Sequence, residues 1–117
     1  VLAGLEMGAI PTVTALSLQT QLPAAIVRKK AKEYGTAKLS EGADILGKRV
    51  CVIEDVVTTG GQVVQSTLEL RQAGAWIEDA ICVIERNPEG RKRLDEIGVR
   101  LHSLYTMDDL IAASKSG

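Results

Sequence analysis

The chain has 117 residues, a mass of 12.5 kDa and a formal net charge of −1. This length fits one domain, and the proportions of hydrophobic (45%) and charged (25%) residues exclude a disordered or fibrous chain. No apolar run reaches the roughly 20 residues that span a bilayer, and residues 1–5 lack the basic flank of a signal peptide. We therefore expect one globular domain without a membrane partner.

The first half of the chain alternates apolar runs with a helical stretch. Residues 1–5 are predicted to form a strand, and a turn then leads to a helix over residues 11–20, with proline in its first turn. A second strand is predicted over residues 24–28. Residues 29–47 show no clear secondary structure, and a loop of this length in a compact domain is usually functional.

The second half continues the alternation. Its clearest strand covers residues 49–54, whose apolar run is typical of a strand covered on both faces. The remaining strands are predicted over residues 77–84 and 100–104, and the helices over residues 61–73, 88–97 and 107–114. Short connections in this order predict an α/β fold, in which helices flank a mostly parallel, twisted sheet. Ligands of such sheets bind beyond the carboxyl ends of the strands.

Positive charge is concentrated in one segment. Residues 28–49 hold seven of the 14 Lys and Arg residues and three of the 15 Asp and Glu residues, a net charge of +4. A protein that binds nucleic acid through phosphates is usually basic over a whole face. The near-neutral total therefore counts against nucleic acid as a partner, and the plain alternative for the segment is a solvated basic loop.

The two cysteines lie in apolar runs without zinc-site spacing. Neither Cys51 nor Cys82 has a CxxC or histidine partner at the required distance in sequence. We interpret both as buried thiols in a reducing cytoplasm.

The strongest motif is Val-Cys-Val-Ile-Glu-Asp-Val-Val-Thr-Thr-Gly-Gly at residues 50–61. A buried strand is predicted to deliver Glu54 and Asp55 to its carboxyl end, before a turn and a helix. Glycines let successive N–H groups converge on a phosphate at the helix N-terminus, and carboxylates accept hydrogen bonds from ribose hydroxyls. The motif predicts a sugar phosphate site. The alternative is an acidic N-cap followed by an ordinary turn.

Residues 52–61 resemble the phosphoribosyl diphosphate (PRPP) motif of the type I phosphoribosyltransferases. By this resemblance Glu54 and Asp55 hold the ribose hydroxyls, and the turn holds the 5-phosphate. The PRPP-binding residues implied in this segment are Glu54, Asp55, Val56, Val57, Thr58, Thr59, Gly60, Gly61 and Gln62.

Residues 25–36, Ala-Ile-Val-Arg-Lys-Lys-Ala-Lys-Glu-Tyr-Gly-Thr, are similar to the corresponding segment of the orotate phosphoribosyltransferases. The resemblance implies that residues 29–47 form a flexible catalytic loop. It assigns the diphosphate of PRPP to Arg28, Lys29, Lys32 and Tyr34, of which Lys29, Lys32 and Tyr34 are the catalytic candidates. Bacterial relatives often have histidine at the position of Tyr34, and a phenol is a poorer proton donor at neutral pH.

Two positions match the orotate-binding residues of the family. Thr58 is one, and Arg86, directly after a predicted strand, is the other. A planar guanidinium suits an anionic pyrimidine that carries a carboxylate. The alternative for Arg86 is a surface ion pair with Glu85 or Glu89. We interpret the run Arg91-Lys92-Arg93 as a solvated helix face.

The resemblance implies transfer of the phosphoribosyl group of PRPP to orotate, which yields orotidine 5-monophosphate and pyrophosphate in UMP biosynthesis. It implies Mg²⁺ as cofactor, held through PRPP and water without direct protein ligands. It also implies a cytoplasmic homodimer in which the loop reaches the neighbouring site.

The chain departs from the family in two places. Gly8 stands where some members have lysine, and the chain begins with valine and lacks the N-terminal hood segment that covers the base. We interpret residues 1–117 as an N-terminally truncated phosphoribosyltransferase core that is weakly active or inactive alone.

Two alternatives remain open. The first is a phosphoribosyltransferase for another base, such as a purine. The second is a nucleotide- or RNA-binding regulator with the same fold.

Overall fold

The computed structural model describes residues 1–29 and 39–116. Within them, the strands are β1 (Leu2–Leu5), β2 (Ala24–Val27), β3 (Ser40–Gly42), β4 (Arg49–Val57), β5 (Trp76–Glu85) and β6 (Arg100–Thr106). The helices are α1 (Ile10–Thr20), α2 (Gly61–Gln72), α3 (Pro88–Glu96) and α4 (Met107–Ser116). The strands form one sheet in the order β3-β2-β1-β4-β5-β6, and every pair except β2–β3 is parallel. The predicted fold class is confirmed.

Two clusters of buried side chains cover the two faces of the sheet. The larger cluster joins the sheet to α2 and α3, and includes Val52, Leu70 and Leu94. The smaller cluster joins it to α1, and includes Val13 and Ile53. Val52 and Ile53 are neighbours in β4 yet belong to different clusters, because successive side chains of a strand point to opposite faces. The apolar run of β4 is therefore buried from both sides, as predicted.

The acidic pair lies inside β4 and not at its end. The strand was predicted to end at residue 54, but it continues to Val57 because β5 runs beside it as far as Glu85. On the other edge, β1 pairs with β4 only as far as Gly4 and Ile53. The turn after β1 therefore faces the part of β4 that carries the acidic residues.

The prediction that residues 29–47 lack secondary structure is wrong at Ser40–Gly42. These residues form β3, which pairs antiparallel with β2. The sequence Ser-Glu-Gly has low strand propensity, so the open edge of β2 determines the strand. Gly42 has a φ of +99°, and a Cβ there would lie 2.7 Å from the Ala24 carbonyl oxygen. Residues 30–38 of the predicted loop lie outside the described residues.

The sequence predicts two buried thiols, and this prediction is confirmed for Cys82. Cys82 is buried, Cys51 is half-buried, and neither forms a disulfide. Burial raises the pKa of each thiol to about 11. Along the described parts of the chain, no helix is long and apolar enough to cross a membrane.

An ion pair between the half-buried Arg91 and the buried Glu85 joins α3 to the ends of β5 and β6. Glu85 is 7% exposed and accepts hydrogen bonds from Arg91 Nη2 (2.8 Å), Arg91 Nε (3.1 Å) and Ser103 Oγ (3.0 Å). Arg91 Nη1 donates to the Leu101 carbonyl oxygen at 2.6 Å. The hydrogen bonds from Arg91 lower the pKa of Glu85. Arg91 is thus part of a structural network, and its assignment to a solvated helix face was wrong.

We expect Arg91→Ala to lower the free energy of unfolding at pH 7 by about 2 kcal/mol, because the buried Glu85 carboxylate loses its cation. The folded pKa of Glu85 is lowered, so the pair stabilises the fold above the unfolded carboxyl pKa and loses this effect as pH falls through the folded pKa. Urea titrations at pH 7 and pH 3 measure both effects. Lys92→Ala, at an exposed position, is the control. If Arg91→Ala lowered the free energy of unfolding equally at both pH values, the assignment of the ion pair would be contradicted.

Candidate active site

Three connections meet at the carboxyl edge of the parallel strands. They are residues 6–9 after β1, residues 58–60 after β4, and residues 86–87 after β5. Parallel strands in such a sheet bring these connections together, and ligands bind there. The predicted sugar phosphate motif and Arg86 therefore share one edge of the sheet.

Glu54 and Asp55 lie side by side at this edge. Glu54 is 8% exposed, whereas Asp55 is half-buried. Glu54 Oε1 accepts a hydrogen bond from the Asp55 N–H at 2.9 Å, and Asp55 Oδ1 accepts one from the Val56 N–H at 2.7 Å. Because the backbone orients both carboxyl groups, they are in place before any ligand binds.

The two carboxyl groups influence each other's ionisation. Burial, together with the hydrogen bond to Asp55, raises the pKa of Glu54 to about 7. The hydrogen bond from Glu54 lowers the pKa of Asp55. The positive charge of Lys29 favours the charged form of both groups, so its ammonium group acts on this pair. Below pH 7 the pair offers one carboxylate and one carboxylic acid, which suits a ligand rich in hydroxyl groups.

The turn after β1 packs closely on Asp55. A Cβ at Gly8 would overlap the Asp55 carboxylate. A side chain at position 8 therefore requires this carboxylate to move. Gly8, which stands where some relatives have lysine, therefore leaves room for the Asp55 carboxylate in its observed position.

Residues 58–60 form a tight turn against α3. Gly60 has a φ of +83°, and a Cβ there would lie 2.8 Å from Gly90 Cα. Helix α2 begins at Gly61, and none of the described side chains caps its N-terminus. Thr58 and Thr59 are exposed beside it. The N–H groups of the first turn and the two hydroxyls can therefore donate to an anion.

Arg86 lies next to this turn. Its N–H donates to the Val57 carbonyl oxygen at 2.8 Å, which places it beside Thr58, the residue that follows Val57. Among the described residues it forms no ion pair, because Glu85 is engaged with Arg91. The expected alternative, a surface pair with Glu85 or Glu89, is absent from this part of the chain.

A cavity of about 310 Å³ opens beside Arg86. Its lining includes Arg86, Asn87, Thr106, Met107 and Asp108. It lies between the end of β5 and the start of α4, at the same edge as the turn. The exposed guanidinium thus has space next to it for a small planar ligand.

Arg28 and Lys29 follow β2 at the same edge of the sheet. Arg28 Nη2 pairs with Glu41 Oε1 at 3.0 Å, and the Arg28 N–H donates to the Leu39 carbonyl oxygen at 2.9 Å. The Lys29 N–H donates to Glu6 Oε1 at 2.9 Å. The Glu6 carboxylate and the Leu39 carbonyl therefore hold the backbone where the predicted catalytic loop begins, and Glu41 holds the Arg28 side chain. Lys32 and Tyr34 lie outside the described residues, so their predicted roles rest on the sequence.

The sequence did not reveal Glu6 or Arg93 as parts of this edge. Arg93 Nη1 donates to the Thr59 carbonyl oxygen at 3.2 Å, although it was assigned to a solvated face. A glycine inside α3, Gly90, was the available indication, since glycine destabilises a helix and is kept where packing is close. Among the described residues, no three His, Cys, Asp or Glu side chains gather into a group that could hold a metal ion.

We expect Glu54→Gln to become more stable relative to wild type as pH rises from 5 to 9. The raised folded pKa, about 7 against 4.5, means that the contribution of Glu54 to stability is largest below pH 4.5 and falls by about 3 kcal/mol as Glu54 ionises through pH 7. Glutamine has no such charge to bury. Thermal unfolding at each pH measures the difference. Glu96→Gln, at an exposed position on α3, controls for the substitution, and parallel pH profiles of wild type and Glu54→Gln would contradict the shift.

Comparison with known proteins agrees with this geometry. The phosphoribosyl transferase domain family model matches residues 1–112. The orotate phosphoribosyltransferase of Nocardioides sp. is 48% identical over 116 residues, which are 99% of this chain and 65% of that protein.

Two solved structures are similar in fold. The crystal structure of orotate phosphoribosyltransferase from Aeropyrum pernix has a TM-score of 0.82 at 29% identity and covers 99% of this chain and 65% of its own. That of the Mycobacterium tuberculosis H37Rv enzyme in complex with PRPP has a TM-score of 0.79 at 28% identity, over 93% of this chain and 64% of its own. The chain therefore spans less than two thirds of the length of these relatives. Because the family model matches residues 1–112 and these structures are similar in fold, the chain belongs to the phosphoribosyltransferase family.

Proposed function

We propose that the full-length protein transfers the phosphoribosyl group of PRPP to orotate, giving orotidine 5-monophosphate and pyrophosphate in UMP biosynthesis. The observation that carries the proposal is the hydrogen bond between the Arg86 N–H and the Val57 carbonyl oxygen. This bond joins a turn suited to a sugar phosphate to an exposed guanidinium suited to an anionic base. The 48% identity to an orotate phosphoribosyltransferase supports the same base.

The sugar phosphate half of PRPP binds along the end of β4 and the start of α2. Asp55 and Glu54 bind the ribose hydroxyls, since their carboxyl oxygens are fixed by backbone N–H groups. The 5-phosphate binds the uncapped first turn of α2 and the Thr58 and Thr59 hydroxyls. The remaining residues of the motif, Val56, Val57, Gly60, Gly61 and Gln62, contribute backbone.

The diphosphate half binds the cationic residues that follow β2. Arg28 and Lys29 stand at the base of the predicted loop, and Lys32 and Tyr34 come from the loop itself. A carboxylate holds the Lys29 N–H, so the position of this residue is set by the sheet and the turn after β1. Cations here offset the charge that develops on the leaving pyrophosphate.

Orotate binds beside Thr58 and Arg86. The guanidinium offers parallel N–H donors to the orotate carboxylate and ring carbonyls. Because Arg91 neutralises Glu85, the neighbouring carboxylate does not compete for Arg86. The 310 Å³ cavity beside Arg86 provides room for the ring.

In the reaction, a ring nitrogen of orotate attacks the anomeric carbon as the bond to the diphosphate oxygen breaks, and the proton of that nitrogen passes to the pyrophosphate or to water. The sugar passes through a cationic, oxocarbenium-like state, and the leaving electron pair stays on pyrophosphate. The protein supplies no covalent intermediate. The charged Asp55 carboxylate stabilises the positive sugar, and the cations of the loop stabilise the leaving group and exclude water.

Mg²⁺ fits this site through the substrate. The described residues offer only the carboxyl pair Glu54 and Asp55 near the sugar, and Glu54 keeps its proton up to a pH of about 7. Mg²⁺ prefers to retain water and to bind phosphate oxygens. We therefore assign it to the diphosphate and water, with no direct ligand among the described residues, where it would offset the charge of the leaving group.

The protein acts in the cytoplasm as a homodimer in which the loop of one subunit reaches the site of the other. Neither a membrane nor a nucleic acid is part of the proposal.

A spectrophotometric assay of orotate loss, with PRPP and Mg²⁺, tests the proposal on the full-length protein. We expect turnover of orotate, and for Arg86→Gln a KM for orotate at least about tenfold higher, or 1.4 kcal/mol of binding, with the KM for PRPP within about twofold. Lys92→Gln is the control. Turnover of adenine or hypoxanthine without turnover of orotate, or tight RNA binding without transferase activity, would overturn the proposed function.

We also expect Lys32→Ala to lower kcat at least about tenfold, equivalent to about 1.4 kcal/mol of barrier. The reason is that this side chain is proposed to offset the charge on the pyrophosphate. Lys92→Ala again serves as the control. An unchanged rate would remove the loop from the mechanism.

A further inference from the structure

Arg93 reaches from α3 to the turn that precedes α2. Its Nη1 donates to the Thr59 carbonyl oxygen at 3.2 Å. The same nitrogen lies 3.7 Å from the point that a Cβ of Gly61 would occupy. The guanidinium therefore lies directly against the backbone that forms the proposed 5-phosphate site, on the side from which α3 approaches.

Two glycines allow this approach. Gly60 and Gly90 pack so closely that a Cβ on Gly60 would lie 2.8 Å from Gly90 Cα. A side chain at either position would push α3 away from the turn. Arg93 is three residues after Gly90, so it lies on the same face of the helix. The close contact thus brings its long side chain within reach of Thr59.

The hydrogen bond from Arg93 to the Thr59 carbonyl oxygen determines the direction of the Gly60 N–H. The Thr59 carbonyl and the Gly60 N–H belong to the same peptide, which is trans, so they point in opposite directions. A cation held on the carbonyl turns the Gly60 N–H away from the Arg93 guanidinium and increases the polarity of this N–H. Gly60 has a φ of +83° and no Cβ, so the peptide before it has little intrinsic resistance to rotation.

We propose that Arg93 is a positioning residue of the PRPP site, which holds the Thr59–Gly60 peptide so that its N–H faces the 5-phosphate. The inference rests on the proposed function, because it assigns the turn to PRPP. The guanidinium also adds a positive charge behind the turn that receives a doubly charged phosphate. Arg93 contributes to the affinity for PRPP and not to the selection of the base.

The test compares Arg93→Gln, Arg93→Lys and the exposed neighbour variant Lys92→Gln in the full-length protein. Isothermal titration calorimetry with PRPP and Mg²⁺ measures the site directly and requires no base. Steady-state kinetics then give the KM for PRPP and the KM for orotate separately. Circular dichroism and thermal unfolding show whether each variant is folded.

We expect Arg93→Gln to weaken PRPP binding and to raise the KM for PRPP by about tenfold, with the KM for orotate within about twofold. Arg93→Lys, which keeps a charged donor, should recover most of the affinity. Lys92→Gln should match wild type. A selective effect on PRPP with rescue by lysine is not expected of a residue that only supports the fold.

Two results would overturn the inference while leaving the proposed function intact. One is PRPP binding by Arg93→Gln within about twofold of wild type. The other is that Arg93→Gln and Arg93→Lys both raise the KM for PRPP and the KM for orotate by the same factor, which would show that the contact is purely structural. If Arg93→Gln does not fold, the test is the affinity of Arg93→Lys for PRPP. We expect this affinity to lie between that of wild type and a value about tenfold weaker, with no matching change in the KM for orotate. Wild-type protein that binds no PRPP would instead overturn the proposed function, and the inference with it.

Discussion

The parallel pairing of β4 with β5 determines the candidate active site. It carries β4 past the acidic pair to Val57 and keeps β5 beside it to Glu85. The next N–H, that of Arg86, then bonds the Val57 carbonyl. This single ladder holds Glu54 and Asp55, the start of the turn at residues 58–60 and Arg86 in one frame. Rigid placement of this kind is what electrostatic catalysis requires, since the groups need not reorganise during the reaction.

The burial and pairing of charged side chains determine which charges face the ligand in the proposed site. Glu85 and Arg86 are adjacent in sequence but have opposite environments: Glu85 is buried against Arg91, and Arg86 is exposed. Among the described residues no arginine pairs with the buried Glu54, and burial raises the pKa of this carboxyl group to about 7. In the proposed site a ligand therefore meets the exposed Arg86, which follows β5, and a carboxyl pair whose negative charge is reduced below pH 7. A fully charged pair would repel the phosphates of PRPP more strongly.

The sequence predicted the sheet, its helices and the motif because apolar periodicity and a glycine turn are local features. It did not predict β3, since Ser40–Gly42 becomes a strand only through the open edge of β2. It placed the end of β4 too early because the partner strand, and not local propensity, sets that end. Arg91 and Arg93 were missed for the same kind of reason. A run of charged residues on a helix has no sequence feature that shows which side chain will find a partner. Here Glu85 and the Leu101 carbonyl bind Arg91, and the contact of Gly60 with Gly90 brings Arg93 to Thr59.

In the proposed site, recognition of the sugar phosphate is separate from recognition of the base. The sugar phosphate is assigned to the two carboxyls and the backbone N–H groups of residues 54–62, and the base is assigned to Thr58 and Arg86. The two groups of residues are linked through one backbone hydrogen bond at Val57. The Arg86 N–H makes this bond and its side chain is exposed, so a change of side chain at position 86 leaves the bond in place. On the proposed function, such a change would alter the base while β4 and the turn keep their positions.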